Sequence, residues 1–216
     1  MGCTIFIDGR EIKSAAGSNL LWVALDNGIY IPNLCSIRSI KRQPASCRLC
    51  YVEIAGRSEP VTACSETVVE GMAVNTAGAA ARALRRTAFE LLMSNHLLEC
   101  AHCPKNRGCE LHRIARFDHL RLKNRSFPAI DLALPVDDSH PLFVFNPNKC
   151  VLCGRCIQAC RKEGKGILDF AYRGIRTRVS TFMGLPIAGA GCDSCLACVE
   201  VCPVGALYRK LTESKI

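Results

Sequence analysis

The sequence predicts an α+β protein made of small parts, and three observations lead to this prediction. Short strand patterns alternate with one helix pattern up to about residue 78. Residues 79 to about 97 carry apolar side chains at helical spacing. The last third carries two runs of four closely spaced cysteines, and 16 of the 216 residues are cysteine. A chain of this length forms one large domain or two to three small ones. The three distinct patterns favour small domains.

The N-terminal part, residues 1–78, is predicted to form strands around one helix. Residues 4–7 indicate a first strand, and Asp8-Gly9 is typical of a hairpin turn into a second strand. The apolar run 20–25 indicates a helix. Three further strand patterns follow at residues 51–54, 60–63 and 72–75. This order of strands and helix is that of a β-grasp domain of the plant-type ferredoxin kind.

Four cysteines in this part are candidate metal ligands, with the spacing C-x11-C-x2-C-x13-C: Cys35, Cys47, Cys50 and Cys64. Plant-type ferredoxins hold a [2Fe–2S] cluster with C-x4-C-x2-C and a distant fourth cysteine, so the first gap here is longer. The surrounding β-grasp order favours a [2Fe–2S] cluster on these four residues. A zinc site with four cysteine ligands is the alternative.

The second part, residues 79–120, is predicted to begin with an amphipathic helix. We expect a buried apolar face and an exposed charged one. The expected apolar face consists of Ala80, Leu84, Ala88, Leu91 and Leu92, and the charged residues away from it are Arg82, Arg85, Arg86 and Glu90.

An H-x3-C-x2-C-x5-C array follows this helix, formed by His96, Cys100, Cys103 and Cys109. A lone histidine at a helix end is usually structural, but this one precedes three closely spaced cysteines. We therefore predict a small helical domain in which these four residues ligate a [4Fe–4S] cluster. His102 is the competing ligand, although its position between two cysteines should turn it away from the cluster. His112 is expected to be polar surface.

Residues 121–140 are predicted to be an irregular connector. A basic run leads into it, consisting of Arg113, Arg116, Arg121, Lys123 and Arg125, and two acidic residues, Asp137 and Asp138, lie near its end. A solvated face is the simplest explanation of the basic run, and the alternatives are a docking site for an acidic partner and a counter-charge for the clusters.

The last part, residues 141–216, contains two complete C-x2-C-x2-C-x3-C runs. The first run is Cys150, Cys153, Cys156 and Cys160, and the second is Cys192, Cys195, Cys198 and Cys202. In this pattern the first three cysteines ligate one [4Fe–4S] cluster and the fourth ligates the other, as in bacterial-type 2[4Fe–4S] ferredoxins. Cys202 is thus predicted to complete the first site and Cys160 the second. Zinc knuckles stop at C-x2-C pairs. A hairpin pattern lies between the runs, at residues 167–179.

The sequence favours a reducing compartment for these thiols. The first residues lack the pattern of a secretory signal, and no run is long and apolar enough for membrane insertion, so we expect a cytoplasmic protein with clusters rather than disulfides. The formal charge of +9 counts every cysteine as neutral. Four clusters would contribute roughly −7. Nucleic-acid binding is therefore not expected. Cys3, outside all four sets, is predicted to be a small buried hydrophobe.

Four motifs of the chain carry a family resemblance: Cys-Arg-Leu-Cys-Tyr-Val-Glu at 47–53, the array at 96–109 followed by Glu-Leu, Lys-Cys-Val-Leu-Cys-Gly-Arg-Cys at 149–156, and Cys-Pro-Val-Gly-Ala-Leu at 202–207. Together they resemble the iron–sulfur module that begins the large iron–sulfur subunit of respiratory complex I. In size the chain is similar to the iron–sulfur diaphorase subunit of NAD-linked [NiFe] hydrogenases, and similar modules begin [FeFe] hydrogenases and NAD-linked formate dehydrogenases.

Three positions depart from the family pattern. Family members usually have Gly where this chain has Ala45, so the loop should differ locally if that position needs a positive φ. Complex I subunits commonly ligate one cluster with the C-terminal runs, whereas all eight cysteines are present here. Arg161 follows Cys160, where simple bacterial ferredoxins have Pro.

The resemblance implies a non-catalytic electron-transfer subunit with one [2Fe–2S] and three [4Fe–4S] clusters. Its expected partners in a hetero-oligomer are an NAD(P)H-oxidising flavoprotein with FMN and a separate catalytic subunit of the hydrogenase or formate dehydrogenase type. No dinucleotide fingerprint is present, since Gly189-Ala-Gly191 runs directly into Cys192. The alternatives are a fragment or divergent form of a self-contained reductase and a zinc-binding nucleic-acid module.

Overall fold

We describe the fold from a computed structural model, in which residues 2–123, 126–130 and 132–210 are described. The chain divides into two compact units. One, the sheet unit, contains Met1–Leu91 and Ile114–Leu120, and the other, the cysteine-rich unit, contains Leu92–Arg113 and Arg121–Ile216. Arg125 of the basic run lies outside the described residues. None of the helices in the described ranges is long and apolar enough to cross a membrane.

The sheet unit contains a sheet with the described strand order β2-β1-β5-β3-β4. The strands are β1 (Gly2–Ile7), β2 (Arg10–Ala15), β3 (Tyr51–Ile54), β4 (Val61–Thr62) and β5 (Ala73–Asn75). β1 pairs antiparallel with β2, with Ile5 opposite Ile12, and parallel with β5. The helix α1 (Leu20–Asp26) is capped by Asn19, whose side chain accepts a hydrogen bond from the Trp22 amide. The predicted β-grasp order is confirmed.

The turn after β1 has the conformation that its sequence predicts. Asp8 and Gly9 have φ angles of 51° and 78°, as a two-residue hairpin turn with a right-handed twist requires. The Asp8 carboxylate also accepts hydrogen bonds from the Thr76 amide at 2.8 Å and the Thr76 hydroxyl at 2.6 Å. The turn is thereby tied to the end of β5.

The core of the sheet unit is apolar and closely follows the strand and helix patterns. It is formed by buried side chains of β1, α1, β3 and β5, including Ile5, Leu20, Val52 and Val74. Cys3 belongs to this core, which confirms its predicted role as a small buried hydrophobe.

The predicted helix after the sheet is confirmed as α2 (Ala79–Ser94), but its predicted buried face is wrong. Leu84 and Leu91 are exposed, whereas Arg85 is buried together with Ala81 and Phe89. The physical reason is that Arg85 has a buried counter-ion. Its side chain, 1% exposed, pairs at 2.6 Å with the Asp118 carboxylate, 4% exposed.

The guanidinium of Arg85 also donates to two backbone carbonyls, those of Tyr51 at 2.8 Å and Thr76 at 2.9 Å. A buried charge is tolerated when it is paired and its donors are hydrogen-bonded. Both conditions hold here, so Arg85 occupies a position that periodicity alone assigns to solvent.

The cysteine-rich unit contains the beginning of α3 (Glu110–Phe117), the helices α4 (Arg155–Glu163) and α5 (Ala197–Glu200), and four short strands. β6 (Phe143–Phe145) pairs antiparallel with β9 (Leu207–Arg209), and β7 (Asp169–Ala171) pairs antiparallel with β8 (Arg178–Ser180). The predicted hairpin between the cysteine runs is thus confirmed as β7 and β8. Because β6 precedes the first run and β9 follows the second, their pairing brings the two runs together.

Candidate metal centres

The four cysteines of the sheet unit lie together in its interior. Cys35 and Cys47 lie in the loop after α1, Cys50 directly precedes β3, and Cys64 lies in a short 3-10 turn after β4. All four side chains are buried. The sulfur atoms of Cys35 and Cys47 are 3.4 Å apart. Cys64 is hydrogen-bonded to Cys50 and also interacts electrostatically with Cys35. The structure therefore brings the predicted [2Fe–2S] ligands into one group.

These four thiols are hydrogen-bonded in two pairs, Cys35 with Cys47 and Cys50 with Cys64. The hydrogen bond with Cys47 lowers the pKa of Cys35 to about 5 and raises that of Cys47. The hydrogen bond with Cys50 lowers the pKa of Cys64 to about 7. A thiolate is the metal-binding form of cysteine. The arrangement thus favours ionisation of one thiol in each pair.

The loop that carries Cys47 has a left-handed backbone at Ala45, with φ of 51°. The absence of glycine at this position suggested a locally different loop if a positive φ is needed. Instead, alanine itself adopts the positive φ, and Arg48 does the same with φ of 55°. A left-handed conformation costs a non-glycine residue roughly 1–2 kcal/mol.

His96, Cys100, Cys103 and Cys109 line one small cavity in the cysteine-rich unit. His112, which the sequence assigned to polar surface, is half-buried and lines the same cavity. His102 is exposed and is not among the lining residues. The backbone N–H of His112 also hydrogen-bonds to Cys109. The sequence did contain a signal for this placement. His112 follows Cys109 by three residues at the start of α3, and residues three apart on a helix lie on the same face.

The imidazole of His96 is arranged as a metal ligand. Its ring donates a hydrogen bond to the backbone carbonyl of Lys149. Nδ1 is buried and has no hydrogen-bond partner among the described residues, so the donor is Nε2. Metal-binding histidines usually donate their second ring N–H in this way, which fixes the tautomer. Burial lowers the pKa of His96 to about 4, so the ring is neutral and the Nδ1 lone pair is available at neutral pH.

The C-terminal cysteines form two groups, and each group takes its fourth member from the other run. Cys160 lines a cavity with the second-run cysteines Cys192, Cys195 and Cys198. In the other group, burial raises the pKa of Cys150 to about 12, and the nearby Cys153 and Cys202 add to this effect. Cys156 interacts electrostatically with the same three thiols. This grouping is the one that an exchange of fourth ligands between the runs requires, and the exchange itself stays a prediction.

The two cysteine runs share an unusual backbone conformation. In the first run Leu152 and Gly154 have φ angles of 52° and 73°, and at the same positions of the second run Ser194 and Leu196 have 62° and 61°. Alternating right- and left-handed residues turn successive N–H groups into a concavity that binds anions, including those of iron–sulfur sites. Three of these four residues are not glycine, so this feature could not be read from the residue types.

A close approach of two backbone segments joins the His96 cavity to the second run. A Cβ atom added to Gly205 would lie 2.4 Å from the sulfur of Cys103, so only glycine fits there. The Glu110 amide, directly after Cys109, donates to the Pro203 carbonyl at 3.0 Å. The loop after Cys202 is thereby held against the His96 site.

All sixteen cysteines are free thiols. In the described ranges no three His, Cys, Asp or Glu side chains converge to hold a single metal ion. The donor set fits iron–sulfur clusters, because grouped thiols and a neutral imidazole with a free lone pair are the ligands that such clusters use. The assignment of individual ligands stays a prediction.

Three protein families match successive parts of the chain. Residues 2–79 match a 2Fe-2S iron-sulfur cluster binding domain. Residues 85–117 match the NADH-ubiquinone oxidoreductase-G iron-sulfur binding region. Residues 143–163 and 190–208 match a 4Fe-4S binding domain.

Full-length relatives are larger than this chain. It is 36% identical over 211 residues to a G-type subunit of the NADH-quinone oxidoreductase of Rhizobium meliloti, covering 94% of this chain and 23% of that protein. It is 32% identical to the NADP-reducing hydrogenase subunit HndD of Solidesulfovibrio fructosivorans, covering 95% of this chain and 36% of that subunit. It is also 32% identical to the putative formate dehydrogenase YrhE of Bacillus subtilis, covering 96% and 21%. The chain thus spans about a fifth to a third of these relatives.

One solved structure matches nearly the whole chain. A chain of an NAD+-reducing [NiFe]-hydrogenase, solved in the H2-reduced state, superposes with a TM-score of 0.84 at 30% identity, covering 99% of this chain and 90% of that one. The fold, the cysteine groups and these matches define an iron–sulfur electron-transfer protein with one [2Fe–2S] and three [4Fe–4S] clusters. It belongs to the family of iron–sulfur subunits that includes this hydrogenase chain.

Proposed function

We propose that this chain relays electrons between an NAD(P)H-oxidising flavoprotein and a separate catalytic subunit of the hydrogenase or formate dehydrogenase type. The two would assemble with it into a hetero-oligomer. The relatives support this proposal, since their names describe subunits of an NADH-quinone oxidoreductase and an NADP-reducing hydrogenase. The observation that carries the proposal is the uninterrupted row of three cysteine sites in the cysteine-rich unit.

The row begins at the His96 site. The backbone amide next to His96, that of Leu97, donates to the Asn148 carbonyl at 2.8 Å, just before the first cysteine run. The first run leads to the second through α4 and α5, which pack against each other. On these helices Cys156 and Cys198 interact electrostatically and are both buried. Each site is thus adjacent to the next within the same unit.

Iron–sulfur clusters supply one-electron chemistry when bound. The chain's own residues would hold the clusters in series, keep water from the buried thiols and present backbone N–H groups to them. Hydrogen bonds and restricted solvent access are the means by which a protein sets cluster potentials.

An exposed apolar segment supports a protein partner at the far end of this row. Between the cysteine runs, residues 170–185 carry six exposed large apolar side chains: Phe170, Tyr172, Ile175, Phe182, Met183 and Leu185. Phe182 and Met183 are 80% and 82% exposed. Exposed apolar clusters of this kind mark interaction sites. Arg173, Arg176 and Arg178 are the charged residues of this stretch, so a partner with an apolar surface rimmed by carboxylates fits it.

The same segment is connected to the last cysteine site. Leu168, before β7, and Ile187, after the exposed stretch, both line the cavity of Cys160 and Cys198. Cys195, in that group, is exposed. A catalytic subunit bound to this segment would therefore lie beside the last site of the row.

The test is anaerobic reduction of the purified chain, loaded with about 14 iron atoms from one [2Fe–2S] and three [4Fe–4S] clusters. NADH delivers two electrons as a hydride, which single-electron centres do not accept without a flavin. We expect dithionite to bleach the visible absorbance and NADH and NADPH to leave it unchanged.

Addition of the cognate flavoprotein subunit should make the same absorbance sensitive to one of the two nucleotides. Rapid bleaching of the flavin-free chain by either nucleotide would instead favour a self-contained reductase. A preparation that binds zinc and no iron would refute the electron-transfer proposal altogether.

A further inference from the structure

Lys149 is a buried cation in the cysteine-rich unit. Its side chain is 6% exposed, and its Nζ lies 3.1 Å from Oε2 of Glu99. The Glu99 side chain is 50% exposed. Lysine is rarely this buried, because moving an ammonium out of water costs several kcal/mol, in rough terms, even with a partner. Here the partner carboxylate remains hydrated while the ammonium does not, so the ion pair by itself is a weak reason for burying the charge.

The position of Lys149 gives a stronger reason. Its backbone carbonyl accepts the hydrogen bond of the His96 ring, and Cys150 is the next residue along the chain. Its aliphatic stem faces Gly205, where an added Cβ would lie 3.8 Å from Lys149 Cδ and 2.4 Å from the Cys103 sulfur. Lys149 therefore lies beside the His96 site, on the side that faces the loop after Cys202.

The Lys149 ammonium is held beside the ligands of that site. Its ion-pair partner Glu99, 3.1 Å from Nζ, lines the same cavity as His96 and the three cysteines. The cavity is lined by His96, which is a neutral ligand, and by three cysteines, whose thiols become negative when they ionise. The ammonium is thus a positive charge held next to a group of thiolates and shielded from solvent.

We propose that Lys149 serves as a fixed positive charge that raises the reduction potential of the His96 centre. This inference rests on the proposed function, because it presupposes a cluster at that centre. Reduction adds one negative charge to the site. A buried cation stabilises that charge more than an exposed one, since the protein interior screens less than water.

The experiment measures the potential of the His96 centre by EPR-monitored redox titration of the whole, cluster-loaded chain. Lys149→Met keeps the stem and removes the charge, and we expect the potential to become more negative. Lys149→Arg keeps the charge and should restore a potential close to that of the wild-type chain. Lys13→Met is the matched control, because Lys13 is exposed on β2 and its charge is screened by solvent.

A second variant tests the sign of the effect and does not depend on removing Lys149. Glu99→Gln removes a negative charge beside the same centre, so the potential should become more positive, by less than the Lys149→Met shift because Glu99 is half-exposed. If the salt bridge only maintained packing, removing either partner would disturb the site in the same way. The two variants would then not shift the potential in opposite directions.

The outcomes separate this inference from the proposed function. If the wild-type chain contains no cluster at the His96 centre, the row of clusters that the proposed function requires is incomplete, and the proposed function is wrong. If the cluster is present and both Lys149→Met and Glu99→Gln leave its potential unchanged, or shift it in one direction, Lys149 is a packing residue and the inference is wrong.

Discussion

His96 combines the properties that a neutral metal ligand needs. Burial keeps its ring uncharged, the Lys149 carbonyl holds one ring nitrogen, and the other nitrogen is left without a partner in the described structure. A sequence pattern of one histidine before three cysteines predicts the residue but not the tautomer. The tautomer depends on a carbonyl more than fifty residues away along the chain, which only the fold brings into contact.

His96→Cys should retain a cluster at this site but lower its reduction potential. Thiolate is an anionic ligand whereas imidazole is neutral, so the replacement adds about one negative charge and disfavours reduction. His96→Ala should lose the cluster or leave it with three iron atoms. EPR spectra of the reduced variants would distinguish these states.

Exposed His102 is the matched control for His96. We expect His102→Ala to keep the wild-type signal of the cluster. If instead His102→Ala altered that signal and His96→Ala did not, His102 would be the ligand and the assignment of His96 would be wrong.

Individual residues also show where prediction from sequence ends. The cysteines that the structure brings together could be grouped from their spacing, because ligand spacing is a property of the chain. The left-handed backbone at Leu152, Ser194 and Leu196 could not be predicted in this way, because none of these side chains favours it. The strain at these positions must be offset by contacts of the folded site, and metal ligation supplies folding free energy of that kind.

At the scale of elements, α2 was predicted in the right place with the wrong face buried. Apolar periodicity assumes that charged side chains face water. Arg85 violates this assumption because Asp118, 33 residues further along, provides a buried carboxylate. The strands β1 to β5 were easier to predict, since their hairpin turn and alternation are local signals. A buried ion pair between distant residues gives no local signal.

The contacts of α4 with α5 and of α5 with β9 bring the two cysteine runs together, as the predicted exchange of fourth ligands requires. Cys202→Ser should disturb the centre of Cys150, Cys153 and Cys156 and spare the centre that contains Cys198. The reason is geometric, since Cys202 acts on both Cys150 and Cys156, whereas Cys160, and not Cys202, lines the cavity of Cys192, Cys195 and Cys198. EPR spectra that resolve the two centres would check this.

Cys160→Ser is the reciprocal variant and should disturb the other centre. Loss of the Cys192–Cys198 signal in Cys202→Ser, with the first signal intact, would mean that each run ligates its own cluster without exchange.

At the scale of the whole molecule, the two units differ in what stabilises them. The sheet unit has an apolar core beneath strands β1 to β5 and a buried ion pair of Arg85 with Asp118. The cysteine-rich unit has only two-stranded sheets in its described part, while eleven of the sixteen cysteines belong to it. Two-stranded sheets are marginally stable on their own. The cysteine-rich unit should therefore depend more on its clusters.

Removal of iron should thus unfold the cysteine-rich unit before the sheet unit. After treatment with an iron chelator and oxidant, we expect hydrogen exchange to show loss of amide protection in α4, β6 and β9. Protection in β1, β2 and α1 should persist, because their hydrogen bonds lie over a core that is mostly aliphatic and includes only Cys50 and Cys64 of the predicted ligands. Mass spectrometry of peptides from both units would measure the two regions in one sample.

The control is the loaded chain carried through the same buffers without chelator. The prediction would be wrong if both units lost protection equally, or if α4 stayed fully protected after iron had been removed. Either result would show that the clusters do not stabilise the cysteine-rich unit more than the sheet unit.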